Sequence, residues 1–105
     1  MTWGRENRSQ LIRVPASDKA HQRAELRSPD PLCDPYLAYA MIVWAALDGI
    51  RSQLALPAAD ERNMYALSAQ EAAALEVLPR SLEEARALAR KSAFVRQHLP
   101  EGLIR

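Results

Sequence analysis

Residues 21–50 read HQRAELRSPDPLCDPYLAYAMIVWAALDGI, and the change of period inside them decides the fold class. From His21 to Arg27 the residues alternate: His21, Arg23, Glu25 and Arg27 on one face, Gln22, Ala24 and Leu26 on the other. A period of two belongs to a strand. Ser28-Pro29-Asp30-Pro31 stops it, because each proline holds the residue before it in extended backbone. Asp34-Pro35 then opens a helix. Aspartate caps free amides, and proline suits the first helical position, where its missing N–H would have no partner anyway. Tyr36, Ala40, Val43, Leu47, Ile50 and Leu54 follow as one stripe, with Leu37, Met41 and Trp44 beside it. The first turns are apolar nearly all round, which predicts one long buried helix.

Working outward, Gln10-Leu11-Ile12-Arg13-Val14 is short, β-branched and stopped by Pro15. Ala16 to Ala20 is turn-like, so two antiparallel strands are expected within about residues 10–27. On the other side, Leu56 to Asn63 reads as a loop. Ser68-Ala69-Gln70-Glu71 and Ser81-Leu82-Glu83-Glu84 both carry the capping-box pattern and predict short helices to about Leu75 and Lys91. Ser92 to Leu99 adds a turn or two before Pro100. The expectation is an α+β fold: two antiparallel strands, then one long buried helix and short helices over about residues 34–99, all in a single domain spanning 1–105.

The chain has 105 residues, 49% hydrophobic and 26% charged, an ordinary globular balance. Much of the apolar share is alanine, so burial per residue is expected to be modest. The formal net charge of +1 is no signature of nucleic-acid binding. Charge is uneven, however: residues 1–27 hold six basic and three acidic residues, and the rest hold eight and ten. Cys33 is the one cysteine, which excludes an internal disulfide framework and points to a reducing, cytoplasmic setting. The first ten residues carry charges where a signal peptide needs an apolar run. The uncharged run Pro35 to Leu47 is shorter than the ~20 residues of a membrane span.

The constellation that could carry chemistry is Arg23, Glu25 and Arg27, spaced ~6.6 Å apart along one strand face. Spacing alone favours a solvated face with screened ion pairs. The sharper reading is an active face. A carboxylate flanked by guanidiniums stays ionised and can hold Mg²⁺ or Mn²⁺, while the arginines grip carboxylate or phosphate. If the strands pair, Arg13 reaches the same face, and Arg8 lies in the segment before it. His21 reads as a surface histidine, and Cys33 as a small buried residue without a neighbouring base. Met41 and Trp44 read as core, and Trp3 either packs on a neighbouring element or lines a pocket.

Asn7-Arg8-Ser9, Leu11-Ile12-Arg13-Val14-Pro15, Glu25-Leu26-Arg27-Ser28-Pro29-Asp30-Pro31, Pro35-Tyr36-Leu37-Ala38 and Leu47-Asp48-Gly49-Ile50 occur in an order and spacing that resembles glutamine synthetase. Asn63-Met64-Tyr65-Ala66-Leu67-Ser68 and Leu78-Pro79-Arg80-Ser81-Leu82-Glu83-Glu84-Ala85 fit as well. The resemblance is to the C-terminal part of that catalytic domain and covers essentially the whole chain. It implies a ligase that joins ammonia to the γ-carboxylate of glutamate with ATP as co-substrate, through a γ-glutamyl phosphate. It implies that Glu25 resembles a ligand of an active-site metal ion, Mg²⁺ or Mn²⁺, and that Arg27 resembles the glutamate-binding arginine. Arg8 is similar to the arginine that meets both nucleotide phosphate and substrate. Arg13, Arg23 and Lys19 are similar to ATP contacts.

The chain departs from the family at Gln10, Ala24 and Cys33-Asp34. The strands carrying most of the family's metal-binding glutamates and its metal-binding histidine are outside these residues. The resemblance therefore implies a partial catalytic domain, inactive alone, that in the full enzyme belongs to a double-ring homo-oligomer. Two other readings stand beside it. One is a truncated interaction module of the same fold, recruiting a partner through its sheet edge or apolar helix. The other is a fragment of a γ-glutamyl ligase acting on amines or polyamines.

Overall fold

The computed structural model describes residues 1–104. It divides into two compact units, one of Met1–Asp30 with Leu56–Val77, the other of Pro31–Ala55 with the described part of Leu78–Arg105.

The first unit is built on a sheet of β1 (Trp3–Arg5), β2 (Ile12–Val14) and β3 (Glu25–Leu26), in that order. β2 and β3 are antiparallel as expected, with Ile12 opposite Leu26 and Arg13 opposite Glu25. The expected pair of strands is thus a three-stranded sheet, because β1 adds in parallel to β2, with Trp3, Gly4 and Arg5 opposite Ile12, Arg13 and Val14. β1 is three residues with glycine at its centre, so no alternation announces it; its strand character comes from the partner. The chain returns from β1 to β2 through Glu6, held at φ 54°, and a turn in which the Gln10 amide donates to the Asn7 carbonyl at 3.3 Å.

The strand expected over 21–27 is shorter than its alternation. Asp18 accepts from the amides of Ala20 and His21 and winds Lys19–His21 into a 3-10 helix. His21 is thereby taken off the Glu25 face; its Nδ1 lies 2.7 Å from Asp18 Oδ1. Only Glu25 and Leu26 are strand, though the Arg27 amide still donates to the Leu11 carbonyl at 2.9 Å.

The strap 56–63 lies against β1. The Asp60 amide donates to the Trp3 carbonyl at 2.8 Å, and Trp3 Nε1 donates to the Pro57 carbonyl at 2.8 Å. The strap leads into a 3-10 helix, Met64–Ala66, and then to a helix cap at Ser68. The next helix in this unit, Ala69–Ala73, opens on a complete capping box: Ser68 Oγ accepts from the Glu71 amide and the Glu71 carboxylate accepts from the Ser68 amide.

In chain order the helices are α1 (Pro35–Arg51), α2 (Ala69–Ala73), α3 (Leu82–Lys91) and α4 (Ala93–His98). α1, α3 and α4 make the second unit. Asp34 caps α1 through the amides of Tyr36 and Leu37, with Pro35 at the first position. α3 opens on Ser81, whose Oγ accepts from the Glu84 amide. Acidic Glu83 and Glu84 stand at its start, and basic Arg90 and Lys91 at its end, each complementing the helix dipole. The Trp44 ring of α1 rests on His98 of α4 with centroids 4.4 Å apart, and His98 in turn lies 4.5 Å from Phe94.

The expected buried helix is at most half-buried. α1 has no fully buried residue, and Tyr36, Tyr39, Val43 and Ile50 stand open. Among the described residues no hydrophobic side chain is fully buried anywhere. The apolar stripe is real, but even Trp44, which packs on His98 of α4, remains 36% exposed. Cys33, expected buried, is exposed in the turn before α1.

α1 ends in a reversal that makes a prediction. The Leu54 amide donates to the Gly49 carbonyl at 3.0 Å and the Gln53 amide to the Ile50 carbonyl at 3.2 Å, with Gln53 at φ 48°. This is a Schellman cap with a side-chain-bearing residue in the left-handed region, where glycine is at ease. Gln53→Gly is expected to raise the stability of the helix end by up to about 1 kcal/mol. Slower amide exchange at Leu54 and a higher melting temperature would register it; an unchanged or faster exchange would contradict it.

Candidate functional site

The charged cluster lies on β2 and β3. The antiparallel register sets Arg13 directly opposite Glu25. Arg13 Nη1 donates to Glu25 Oε2 at 3.0 Å, and Arg23 Nη2 donates to Glu25 Oε1 at 3.1 Å. Glu25 is therefore bracketed by two guanidiniums, one from each strand's side. The Arg13 side chain is 18% exposed and that of Glu25 31%, while Arg23 is open to solvent. The bond from Arg13 is the main reason that the Glu25 carboxyl lies below its ordinary value; partial burial works against it, and Arg23 adds to the lowering. Buried Arg13 Nε has no hydrogen-bond partner among the described residues.

The sequence expectation was a bracket by Arg23 and Arg27. Arg23 takes part; the second partner is Arg13. Arg27 is exposed, and its side chain has no ion pair among the described residues. Alternation put Arg27 on the same face, but the strand ends at Leu26. Lys19 sits exposed in the 3-10 helix. Arg8 is exposed at the turn between β1 and β2. An open hollow of about 780 Å³ next to the cluster is lined by Trp3, Arg5, Val14 and Arg23 among others, so Trp3 both bonds the strap and walls a pocket.

As to a metal ion, Glu25 is a hard oxygen donor held ionised, and each carboxylate oxygen that accepts one N–H keeps a further lone pair. It fits as one ligand. Among the described residues no three His, Cys, Asp or Glu side chains gather as a metal site, so Glu25 alone fills no coordination shell.

Sequence reasoning missed the residues that hold the Arg8 turn. Asn7 Nδ2 donates to the Arg62 carbonyl at 2.9 Å, the Met64 amide donates to Ser9 Oγ at 2.9 Å, and Gln10 Nε2 donates to the Asp60 carbonyl at 2.6 Å. Their partners lie some fifty residues away, and no local pattern signals a contact of that range. Among the described residues no helix is long and apolar enough to cross a membrane.

The family model for the glutamine synthetase catalytic domain matches residues 1–105. Glutamine synthetase of Thermus thermophilus is 41% identical over 103 residues, which is 96% of this chain and 23% of that protein. Glutamine synthetase of Clostridium saccharobutylicum is 45% identical over 87 residues, 81% of this chain and 20% of that protein. That of Methanocaldococcus jannaschii is 45% identical over 71 residues, 68% of this chain and 16% of that protein. The chain thus spans less than a quarter of the length of these relatives. With its whole length matched by one family, and with relatives above 30% identity, the chain belongs to the glutamine synthetase catalytic-domain family, a family of ligases.

Proposed function

We propose that this chain supplies the arginine–glutamate part of the active site of an ATP-dependent glutamate–ammonia ligase. The observation that carries the reading is the ionised Glu25 carboxylate held between Arg13 and Arg23. Two guanidiniums and one carboxylate leave an excess positive charge, and a divalent cation would add two more. Such a site favours a polyanion, and ATP is one.

In this reading Glu25 is one ligand of Mg²⁺ or Mn²⁺, which when bound neutralises charge on the phosphates. Arg13, Arg23 and Lys19 take nucleotide phosphates, Arg27 takes glutamate, and Arg8 meets both. A γ-carboxylate oxygen of glutamate attacks the terminal phosphorus of ATP, and ADP leaves. Ammonia then attacks the γ-carbon, and phosphate departs while the nitrogen gives up one proton, leaving the amide. Arginines suit both steps, because they stay protonated and stabilise charge spread over equatorial oxygens. The remaining metal ligands come from the rest of the catalytic domain, so the 105-residue chain alone is inactive. In the full enzyme it is a part of a homo-oligomer.

The test is complementation. The Thermus thermophilus enzyme lacking the segment matched here is produced with and without this chain, and glutamine and ADP are measured. Activity only in the mixture supports the reading. Glutamine formation by this chain alone, or an inert mixture in which the two parts demonstrably associate, overturns it. The latter result favours a non-catalytic interaction module.

A further inference from the structure

The Arg8 side chain is exposed and, like those of Lys19 and Arg27, has no hydrogen bond or ion pair among the described residues. Its backbone is another matter. The side chains of Asn7, Ser9 and Gln10 hold the turn, although buried Gln10 Oε1 has no hydrogen-bond partner among the described residues. Asn7 Oδ1 accepts from the Ser9 amide at 3.0 Å and from Ser9 Oγ at 2.7 Å. Asn7 Nδ2 donates outward to the Arg62 carbonyl at 2.9 Å, and Ser9 Oγ accepts from the Met64 amide at 2.9 Å. Gln10, only 2% exposed, donates from Nε2 to the carbonyls of Asp60 at 2.6 Å and Arg62 at 3.2 Å.

The carbonyls that receive these bonds are themselves aimed. The Asp60 carboxylate accepts from the Arg62 amide at 3.1 Å, from Arg62 Nε at 3.0 Å and from Arg62 Nη2 at 2.7 Å. This curls residues 60–62 so that both carbonyls face Gln10. Arg62 Nη1 also lies 3.5 Å from Glu71 Oε1, tying the strap to the capping box of α2. Gly4 leaves the room: a Cβ there would stand 3.0 Å from Gln10 Cγ.

We propose that Gln10 and Asp60 are positioning residues for Arg8, fixing its Cα through the strap so that its guanidinium meets phosphate in one place. The inference rests on the phosphate-binding reading of Arg8. A long flexible side chain binds with less entropic loss when its anchor is rigid, and a displacement of ~1 Å in a positioned group costs up to ~100-fold.

The experiment follows the arginine Nε–H resonances of the 105-residue chain during titration with inorganic pyrophosphate. Variants are Gln10→Met, which keeps volume but removes both bonds, and Asp60→Asn, which keeps size and an acceptor for the Arg62 amide. Far-ultraviolet circular dichroism and the Arg13 resonance report whether each variant is folded. The expected result is binding at Arg8 weakened about tenfold in either variant, with Arg13 and Arg23 changed by less than about twofold. Unchanged binding at Arg8 in a folded variant overturns the proposal, as does an equal loss at all three arginines, which marks a merely structural role. If Arg13 and Arg23 respond in the unaltered chain and Arg8 does not, there is nothing for the strap to position and this inference fails alone. If no arginine responds, the phosphate-binding reading fails and takes the inference with it.

Discussion

Glu25→Ala in the complemented enzyme is expected to reduce glutamine formation by at least about 100-fold, the scale of losing one preorganised charge-stabilising group. The substitution removes an ionised oxygen donor and leaves the Arg13 and Arg23 guanidiniums without the carboxylate that spaces them. Glu25→Gln separates the two effects. It keeps the shape and a hydrogen-bond acceptor for Arg13, but it carries no charge for a divalent cation. If activity in Glu25→Gln stays within about twofold of the unaltered protein, Glu25 is no metal ligand and only shapes the site.

The same pair gives a pH dependence. The Glu25 carboxyl is held below the ordinary 4.5, chiefly by the Arg13 hydrogen bond. A group whose value is depressed in the folded state stabilises the fold fully above its unfolded value, and that contribution disappears as pH falls through the folded value. The melting temperature of the unaltered chain is therefore expected to converge on that of Glu25→Gln as the pH is taken from neutral down through the lowered folded-state value. A gap that persists at low pH would mean that the difference comes from packing and not from ionisation.

Gly4→Ala is expected to destabilise the first unit by about 1–3 kcal/mol, the usual range for overpacking. The added Cβ would lie 2.8 Å from the Asp60 carbonyl oxygen, 3.0 Å from Gln10 Cγ and 3.4 Å from Asn7 Cβ. Side-chain adjustment cannot relieve the first of these, because the obstacle is backbone. The strap would have to lift, breaking the Asp60 amide's bond to the Trp3 carbonyl. Gly4 has no positive φ, so the cost is one of space alone. Gly49→Ala is the control of opposite sign. Nothing lies within 4 Å of a Cβ there, and the site is within α1, so alanine should gain about 0.5–1 kcal/mol. Urea unfolding followed by Trp fluorescence and strap amide exchange reads both. A Gly4→Ala chain as stable as the original would mean that the strap is mobile.

Local chemistry made most elements legible. Asp34-Pro35 fixed the start of α1, Ser68 with Glu71 that of α2, and Ser81 that of α3, because a cap and its free amides lie within three residues of each other. Glu25 was legible as the centre of the charged cluster, since its neighbours Arg23 and Arg27 are two residues away on either side. What alternation could not give was the length of the strand. Asp18 captures two amides and turns the first half of 21–27 into a 3-10 helix and an irregular link, which moves His21 to Asp18 and leaves Arg27 beyond the strand's end.

By itself, then, the sequence determined the α+β class, the helix starts, the family, and the charge type of the candidate site, all of which depend on residues close together in the chain. Only the tertiary structure decided that a third strand at Trp3–Arg5 exists, that Arg13 and not Arg27 completes the bracket on Glu25, and that the strap 56–63 and Met64 hold the turn at Arg8. The same is true of α1, whose apolar stripe reads as buried and stands largely open. Each of these rests on a pairing partner or a covering layer far away in sequence. Strand character, cross-strand register and burial are properties of two surfaces meeting, and a pattern along one segment describes only one of them.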